Sequence, residues 1–278
     1  MVYRRILTVQ DISCLGQCSM TVALPIISAC GHEVCPLPTA LLSTHTGGFG
    51  PVHKQDLAEN FDGILSHWKK NCITFDAVYA GYLGSAGHIS WLQNIFETMV
   101  APDGMRIVDP AMADHGELYS GFGMEYVAAM KKLCAAADVI IPNVTEACLL
   151  TNTPYPAELS EGFVADLLKR LGQLCPCVIL TGVGYKPEET GVAVYREGKL
   201  WHYSQQKIPQ SYHGTGDIFA SAFVGAWLQE KNLEEAVKIA ADYTACCIQK
   251  TWDAPAHGYG VKFESALPEL MRMLRDKS

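Results

Sequence analysis

The chain contains no apolar run long enough for a secretion signal or a membrane-spanning helix. Its opening residues, Met1 to Ile12, carry two arginines and only a short apolar stretch, which reads as a first strand. There is no Walker A sequence, no G-x-G-x-x-G after a strand, no H-E-x-x-H and no G-x-S-x-G. These absences set aside P-loop, dinucleotide-binding, zinc-peptidase and α/β-hydrolase chemistry. Positive charge is also in short supply: 21 basic against 29 acidic side chains give a formal charge of -8. That balance argues against nucleic acid or an anionic membrane surface as the main partner. No fixed-period repeat, charge block or Pro/Gly/Ser-rich stretch divides the 278 residues, so a single domain over 1–278 is expected, in the cytoplasm. Eleven cysteines occur without a paired C-x-x-C set for zinc, and nine histidines scatter without ligand spacing. The cysteines read as reduced, mostly buried packing residues.

What is present is a globular composition, 49% apolar and 18% charged, arranged in a recognisable alternation. Short β-rich runs (Ile6 to Val9, Ala77 to Ala80, Ile107 to Val108, Val139 to Ile141, Val178 to Leu180) are separated by stretches of helical period. The helical stretches are Met20 to Ala29, Gln55 to Lys69, Ile89 to Met99, Met124 to Ala136, Gly162 to Leu174, Asp217 to Lys231, Leu233 to Lys250 and Ser265 to Arg275. This is the pattern of an α/β fold in three αβα layers around a mostly parallel sheet. Two strand-like runs between Val192 and Tyr203 flank Arg196-Glu-Gly-Lys199 and predict an antiparallel hairpin at the sheet edge.

Polar residues follow each strand run: Gln10-Asp11-Ile-Ser13, Gly81-Tyr82-Leu-Gly84-Ser85, Asp109-Pro110, Asn143-Val-Thr145-Glu146 and Thr181-Gly182. In an open α/β sheet, ligands bind beyond the carboxyl ends of the strands, where these residues converge. The sharpest signal is Tyr212-His-Gly214-Thr215-Gly216-Asp217, running into the helical stretch Ile218 to Trp227. Glycines ahead of a helix leave backbone N–H groups free at the positive end of its dipole, a place for phosphate. Beside such an anion hole Asp217 could accept the proton of an attacking alcohol, or it could only serve the helix N-terminus.

At these residues the chain resembles the ribokinase-like superfamily, whose Gly-x-Gly-Asp signature carries an aspartate base. Asn143-Val-Thr-Glu146 is similar to its N-x-x-E motif, which organises Mg²⁺ and phosphate through water. Within the superfamily the vitamin B6 kinases resemble it most, through Leu42-Ser-Thr-His-Thr46-Gly47, Gly81-Tyr82 and Asp109-Pro-Ala-Met-Ala-Asp114 followed by Gly116 and Tyr119. The resemblance covers nearly the whole chain. It implies a ribokinase-like fold with a small flap, ATP-dependent phosphorylation of the 5′-hydroxymethyl group of pyridoxal, pyridoxamine or pyridoxine, and a homodimer. It assigns catalysis to Asp217, the anion hole to Gly214, Thr215 and Gly216, the vitamin site to Asp11, Ser13, Thr46 and Tyr82, and ATP binding to Asp109, Asp114, Tyr119, Asn143 and Thr181. Glu146 would hold Mg²⁺, directly or through water, and whether a monovalent cation such as K⁺ takes part is left open.

Two departures from the B6 pattern stand out. Gln10-Asp11 replaces a glutamine followed by serine, which could let a carboxylate meet a ring nitrogen or the amine of pyridoxamine. His213 precedes the glycine turn, as in hydroxymethylpyrimidine kinases, which typically carry His-Gly-Thr-Gly-Cys. A hydroxymethylpyrimidine kinase, a sugar kinase and an idle vitamin-binding protein on the same fold therefore remain as alternatives.

Overall fold

The predicted alternation resolves, in a computed structural model, into one nine-stranded sheet with helices on both faces. The structure describes residues 2–254 and 259–276; Met1, where the expected first-strand segment begins, lies outside them. The strands are β1 (Arg5–Ser13), β2 (Glu33–Leu42), β3 (Lys54–Asp56), β4 (Phe75–Ala80), β5 (Val100–Val108), β6 (Ala113–Asp114), β7 (Glu117–Leu118), β8 (Val139–Ile140), β9 (Cys177–Thr181), β10 (Glu189–Arg196) and β11 (Lys199–Gln206). The helices are α1 (Met20–Ala29), α2 (Phe61–Lys70), α3 (Ala86–Thr98), α4 (Met124–Ala135), α5 (Val144–Thr151), α6 (Glu161–Leu171), α7 (Thr215–Leu228), α8 (Leu233–Trp252) and α9 (Leu267–Arg275).

The sheet order is β11-β10-β9-β8-β5-β4-β1-β2-β3. From β2 to β9 neighbouring strands pair in parallel. β3 and the β10–β11 hairpin pair antiparallel at the two edges. The hairpin turns at Glu197 and Gly198, both at positive φ, which suits the right-handed twist of the flanking strands. β6 and β7 form a separate two-stranded ribbon after β5, where the flap is expected.

Successive residues of the central strands feed two cores. Leu7, Val9, Val78, Val108 and Ile140 pack with α2 to α6, whereas Ile6, Ala77, Tyr79, Ile107 and Val139 pack with α1, α7, α8 and α9. With both faces covered, the strands are continuous apolar runs rather than alternating ones. On the second face α7 approaches α1 so closely that a Cβ on Gly225 would sit 2.4 Å from the Cys30 sulfur. All eleven cysteines are free, six of them buried.

One expectation is corrected and one strand is added. The helix predicted over Gln55 to Lys69 begins only at Phe61; before it, Lys54–Asp56 pairs with Ala40–Leu42 and Asp56 Oδ1 accepts from the Ala58 N–H at 2.8 Å. Tertiary pairing overrides the local pattern there. β2 is a strand the sequence reading did not include, and it contains Pro36 and Pro38. The Glu33 N–H donates to the Arg4 carbonyl, so the odd-numbered residues that follow face β1 and both prolines face away from it. β3 pairs only with Ala40–Leu42, so no ladder bond is lost at either proline.

Candidate active site

The carboxyl ends of the parallel strands carry the predicted residues, beginning with the glycine turn. Gly214 caps α7 with φ +85, and a Cβ there would lie 1.9 Å from the Gln17 carbonyl oxygen. No L-residue fits without displacing backbone. The first turn of this 14-residue helix holds Thr215, Gly216 and Asp217, so its free amides and a carboxylate share one place. Burial pushes the Asp217 carboxyl up to about 7; a backbone N–H bond from Ser19 opposes this and the charge of Asp11 adds to it.

Facing this turn are the ends of β5 and β8. Asp109, 8% exposed, is held by its N–H to the Ala80 carbonyl at 2.8 Å. Burial raises its pKa well above the carboxylate range, and Glu146 and Asp217 add to the rise. Asn143 caps α5 in a reciprocal capping box: its Oδ1 accepts from the Glu146 N–H at 3.0 Å, and Glu146 Oε2 accepts from the Asn143 N–H at 2.9 Å. The other Glu146 oxygen accepts from the Met112 N–H at 3.0 Å. Burial pushes Glu146 up to about 8 against these backbone bonds. Asn143 Nδ2 donates to the Ala113 carbonyl at 2.8 Å, and Thr145 Oγ1 accepts from the Gly116 N–H at 3.0 Å. The N-x-x-E segment thus anchors the β6–β7 ribbon as well as its own helix.

One cavity of about 380 Å³ joins these groups: Asp109, Asp114, Tyr119, Asn143, Glu146, Thr181 and the turn from Gly214 to Asp217 all line it. Among the described residues no Lys or Arg lines it. Asp109, Glu146 and Asp217, all with raised pKa, line this cavity with no side-chain cation beside them; among the described residues no three His, Cys, Asp or Glu side chains are grouped to hold a metal ion directly, so Mg²⁺ would sit here mainly on its own waters, beside Asp109, Glu146 and Asn143.

Asp11, Ser13, Thr46 and Tyr82 do not line this cavity. Asp11, 4% exposed, accepts from Ser13 Oγ at 3.2 Å and lies near enough to Asp217 to raise its pKa. Tyr82 packs against Phe122 with ring centroids 5.4 Å apart. Thr46 is exposed, but its neighbour His45 is buried 5.3 Å from the His213 ring, and a Cβ on Gly47 would meet His213 at 2.7 Å. The loop carrying Thr46 therefore rests on the residue that precedes the glycine turn. Asp217 stands between the two clusters.

Sequence reasoning missed Lys54 on β3, whose ammonium lies 6.0 Å from the Tyr82 ring. The helix expected from Gln55 onward left β3 unread. It also missed the far end of the cavity, where Val192, Gln205, Phe219, Ala241 and Ile248 meet. Gln205 shares a strand face with Trp201 and Tyr203, and that polar residue on an apolar face was the available signal.

Known proteins share this fold and much of this sequence. A pyridoxal kinase from Lactobacillus plantarum superimposes with TM-score 0.90 at 30% identity, covering 97% of each chain. A Bacteroides thetaiotaomicron protein, in its crystal form with pyridoxal, gives TM-score 0.89 at 35% identity over 96% of this chain and 95% of that one. The pyridoxal kinase of Arabidopsis thaliana is 26% identical over 269 residues, 90% of this chain and 82% of the plant protein. Residues 25–262 match the family described as phosphomethylpyrimidine kinase, and that match spans β2 to β11, both capped helices and the glycine turn. The chain belongs to the phosphomethylpyrimidine kinase family.

Proposed function

We propose that this protein is a pyridoxal kinase, moving the γ-phosphoryl group of ATP to the 5′-hydroxymethyl oxygen of pyridoxal, pyridoxamine or pyridoxine. The observation that carries the reading is the glycine turn with Asp217 between two clusters: a cavity of buried carboxyls and helix-end amides on one side, a buried Asp11 and an aromatic Tyr82 on the other. The first suits a triphosphate and its metal, the second a flat polar ring.

In this arrangement the amides of the Gly214 to Gly216 turn hold the phosphate oxygens. The vitamin lies against Tyr82, with Asp11 and Ser13 at its polar edge and the Thr46 loop above. Asp217 takes the alcohol proton as the oxygen–phosphorus bond forms and the bond to the β-phosphate bridging oxygen breaks, releasing ADP. Positioning and charge stabilisation supply most of the acceleration. Mg²⁺, when bound, neutralises charge on the phosphate oxygens. Glu146 already accepts from the backbone N–H groups of Met112, Asn143 and Ala113, which suits contact with the metal through water rather than directly. The same reading takes 1–278 as one domain, acting as a homodimer in the cytoplasm; the undivided composition supports the single domain and the sequence resemblance the homodimer.

Phosphorylation of hydroxymethylpyrimidine phosphate is the second reading, favoured by the family match and by His213 ahead of Gly214. ADP release and product mass, measured with Mg²⁺-ATP against the three B6 vitamers, hydroxymethylpyrimidine, its phosphate and ribose, separate the two. Vitamer 5′-phosphates are expected. A pyrimidine pyrophosphate product without vitamer turnover would overturn the primary reading, and binding without ADP release would leave only an idle binder.

A further inference from the structure

Beyond its phosphate end, the cavity continues into a slot walled by Val192, Phe219, Ala241, Ala245 and Ile248, an apolar gap suited to a planar base. One side chain on its lining, Gln205, is held by a second residue. Gln205 Nε2 donates to Asp242 Oδ1 at 2.6 Å, and Tyr203 Oη donates to the same oxygen at 2.7 Å. A carboxylate oxygen only accepts, so turning the amide over would set its Oε1 against Asp242. Tyr203 and Gln205 stand two residues apart on one face of β11, and Asp242 reaches both from α8. The orientation of the Gln205 amide is thereby set by chemistry rather than left to rotate.

Gln205 Nε2 also donates to the Tyr203 hydroxyl, so Oε1 is the group the amide keeps for a ligand. That acceptor matches the 6-amine of adenine, which donates. Guanine carries its O6 acceptor at the same place and meets Oε1 with repulsion. We propose that Gln205 reads the nucleotide base and that Asp242 is a positioning residue locking its amide, so that the site selects adenine over guanine nucleotides. The proposal rests on the cavity being the nucleotide site of the kinase described above.

Calorimetric titration of the whole protein with Mg²⁺-ADP and Mg²⁺-GDP tests it. The wild type is expected to bind ADP about tenfold or more tightly than GDP, the discrimination of one base contact that adenine makes and guanine repels. Asp242→Asn, which tolerates either amide orientation, should bring the ratio below about threefold, largely through a gain in GDP binding. Gln205→Leu should reach a similar ratio through a loss of ADP binding. Tyr203→Phe, which leaves the Gln205–Asp242 bond in place, should keep the wild-type ratio, which a general loosening of the hairpin would not. Equal binding of the two nucleotides by the wild type, or an unchanged ratio in both Asp242→Asn and Gln205→Leu, overturns the base-reading role and leaves the kinase reading standing. Binding of neither nucleotide would overturn both. If Asp242→Asn does not fold, Gln205→Leu carries the test alone.

Discussion

The two sides of Asp217 are built by different means. The side proposed for phosphate is made mainly of backbone: the amides at the start of α7, the capped start of α5, and carboxyls fixed by backbone N–H groups. The side proposed for the vitamin is made of side chains brought from β1, the loop after β2, and the residues after β4. A backbone-built wall tolerates little change, because its geometry belongs to helix ends and strand ends shared with the core. A side-chain wall can be revised one residue at a time.

The strongest way to break that contrast is at the group common to both sides. Asp217→Asn should lower kcat by roughly 100-fold or more, with the thermal midpoint nearly unchanged or raised, since a buried carboxyl is replaced by a neutral amide; near-normal turnover would remove Asp217 from the mechanism. Gly214→Ala comes next. Its Cβ meets the Gln17 carbonyl and its φ is positive, so it should cost about 1–3 kcal/mol in denaturant unfolding and about tenfold or more in kcat/KM for ATP. The same insertion of one methyl group on the vitamin side should do far less.

Protonation gives a graded test. Burial raises Asp217 to about 7, and the base must be ionised to accept a proton. kcat/KM should therefore fall on the acid side, with a midpoint no higher than about 7, and a flat profile from pH 5 to 8 would contradict the assignment. The stability of the ligand-free protein should move the other way. Asp109, Glu146 and Asp217 all hold protons more tightly folded than unfolded. Their contribution is complete below about pH 4 and is lost as the pH rises through 7 to 8. Differential scanning calorimetry should show the midpoint falling between pH 5 and 8.5, and Mg²⁺ with ADP should reduce that fall.

The smallest effect belongs to the side-chain wall. Asp11→Ser should shift the pyridoxamine-to-pyridoxal ratio of kcat/KM a few-fold toward pyridoxal, about 1 kcal/mol for one exchanged polar contact. An unchanged ratio would mean that Asp11 serves only its bonds to Ser19 and Ser13.

The same contrast sets what could be read from the sequence. Gly214-Thr-Gly-Asp217 and Asn143-Val-Thr-Glu146 are local devices, each compressed into four residues, and their places at helix starts were legible without a structure. The parallel core strands were legible too, because burial on both faces leaves continuous apolar runs such as Val178 to Leu180. Lys54 and Gln205 were not, since their importance comes from what the fold sets beside them. β2 is a similar case: a strand tolerates proline where the ring nitrogen faces no partner strand, and facing is a tertiary property.

That outward placement of Pro36 and Pro38 matters beyond the fold of one molecule. The free margin of a sheet is a template on which a second chain can add a strand, and at these two positions β2 has no N–H to offer. Farther along, the short β3 covers the margin with Lys54, Gln55 and Asp56, all exposed. The edge nearest the vitamin side is thus defended against strand-by-strand aggregation, and replacing both prolines with valine would trade that resistance for a longer, stickier border.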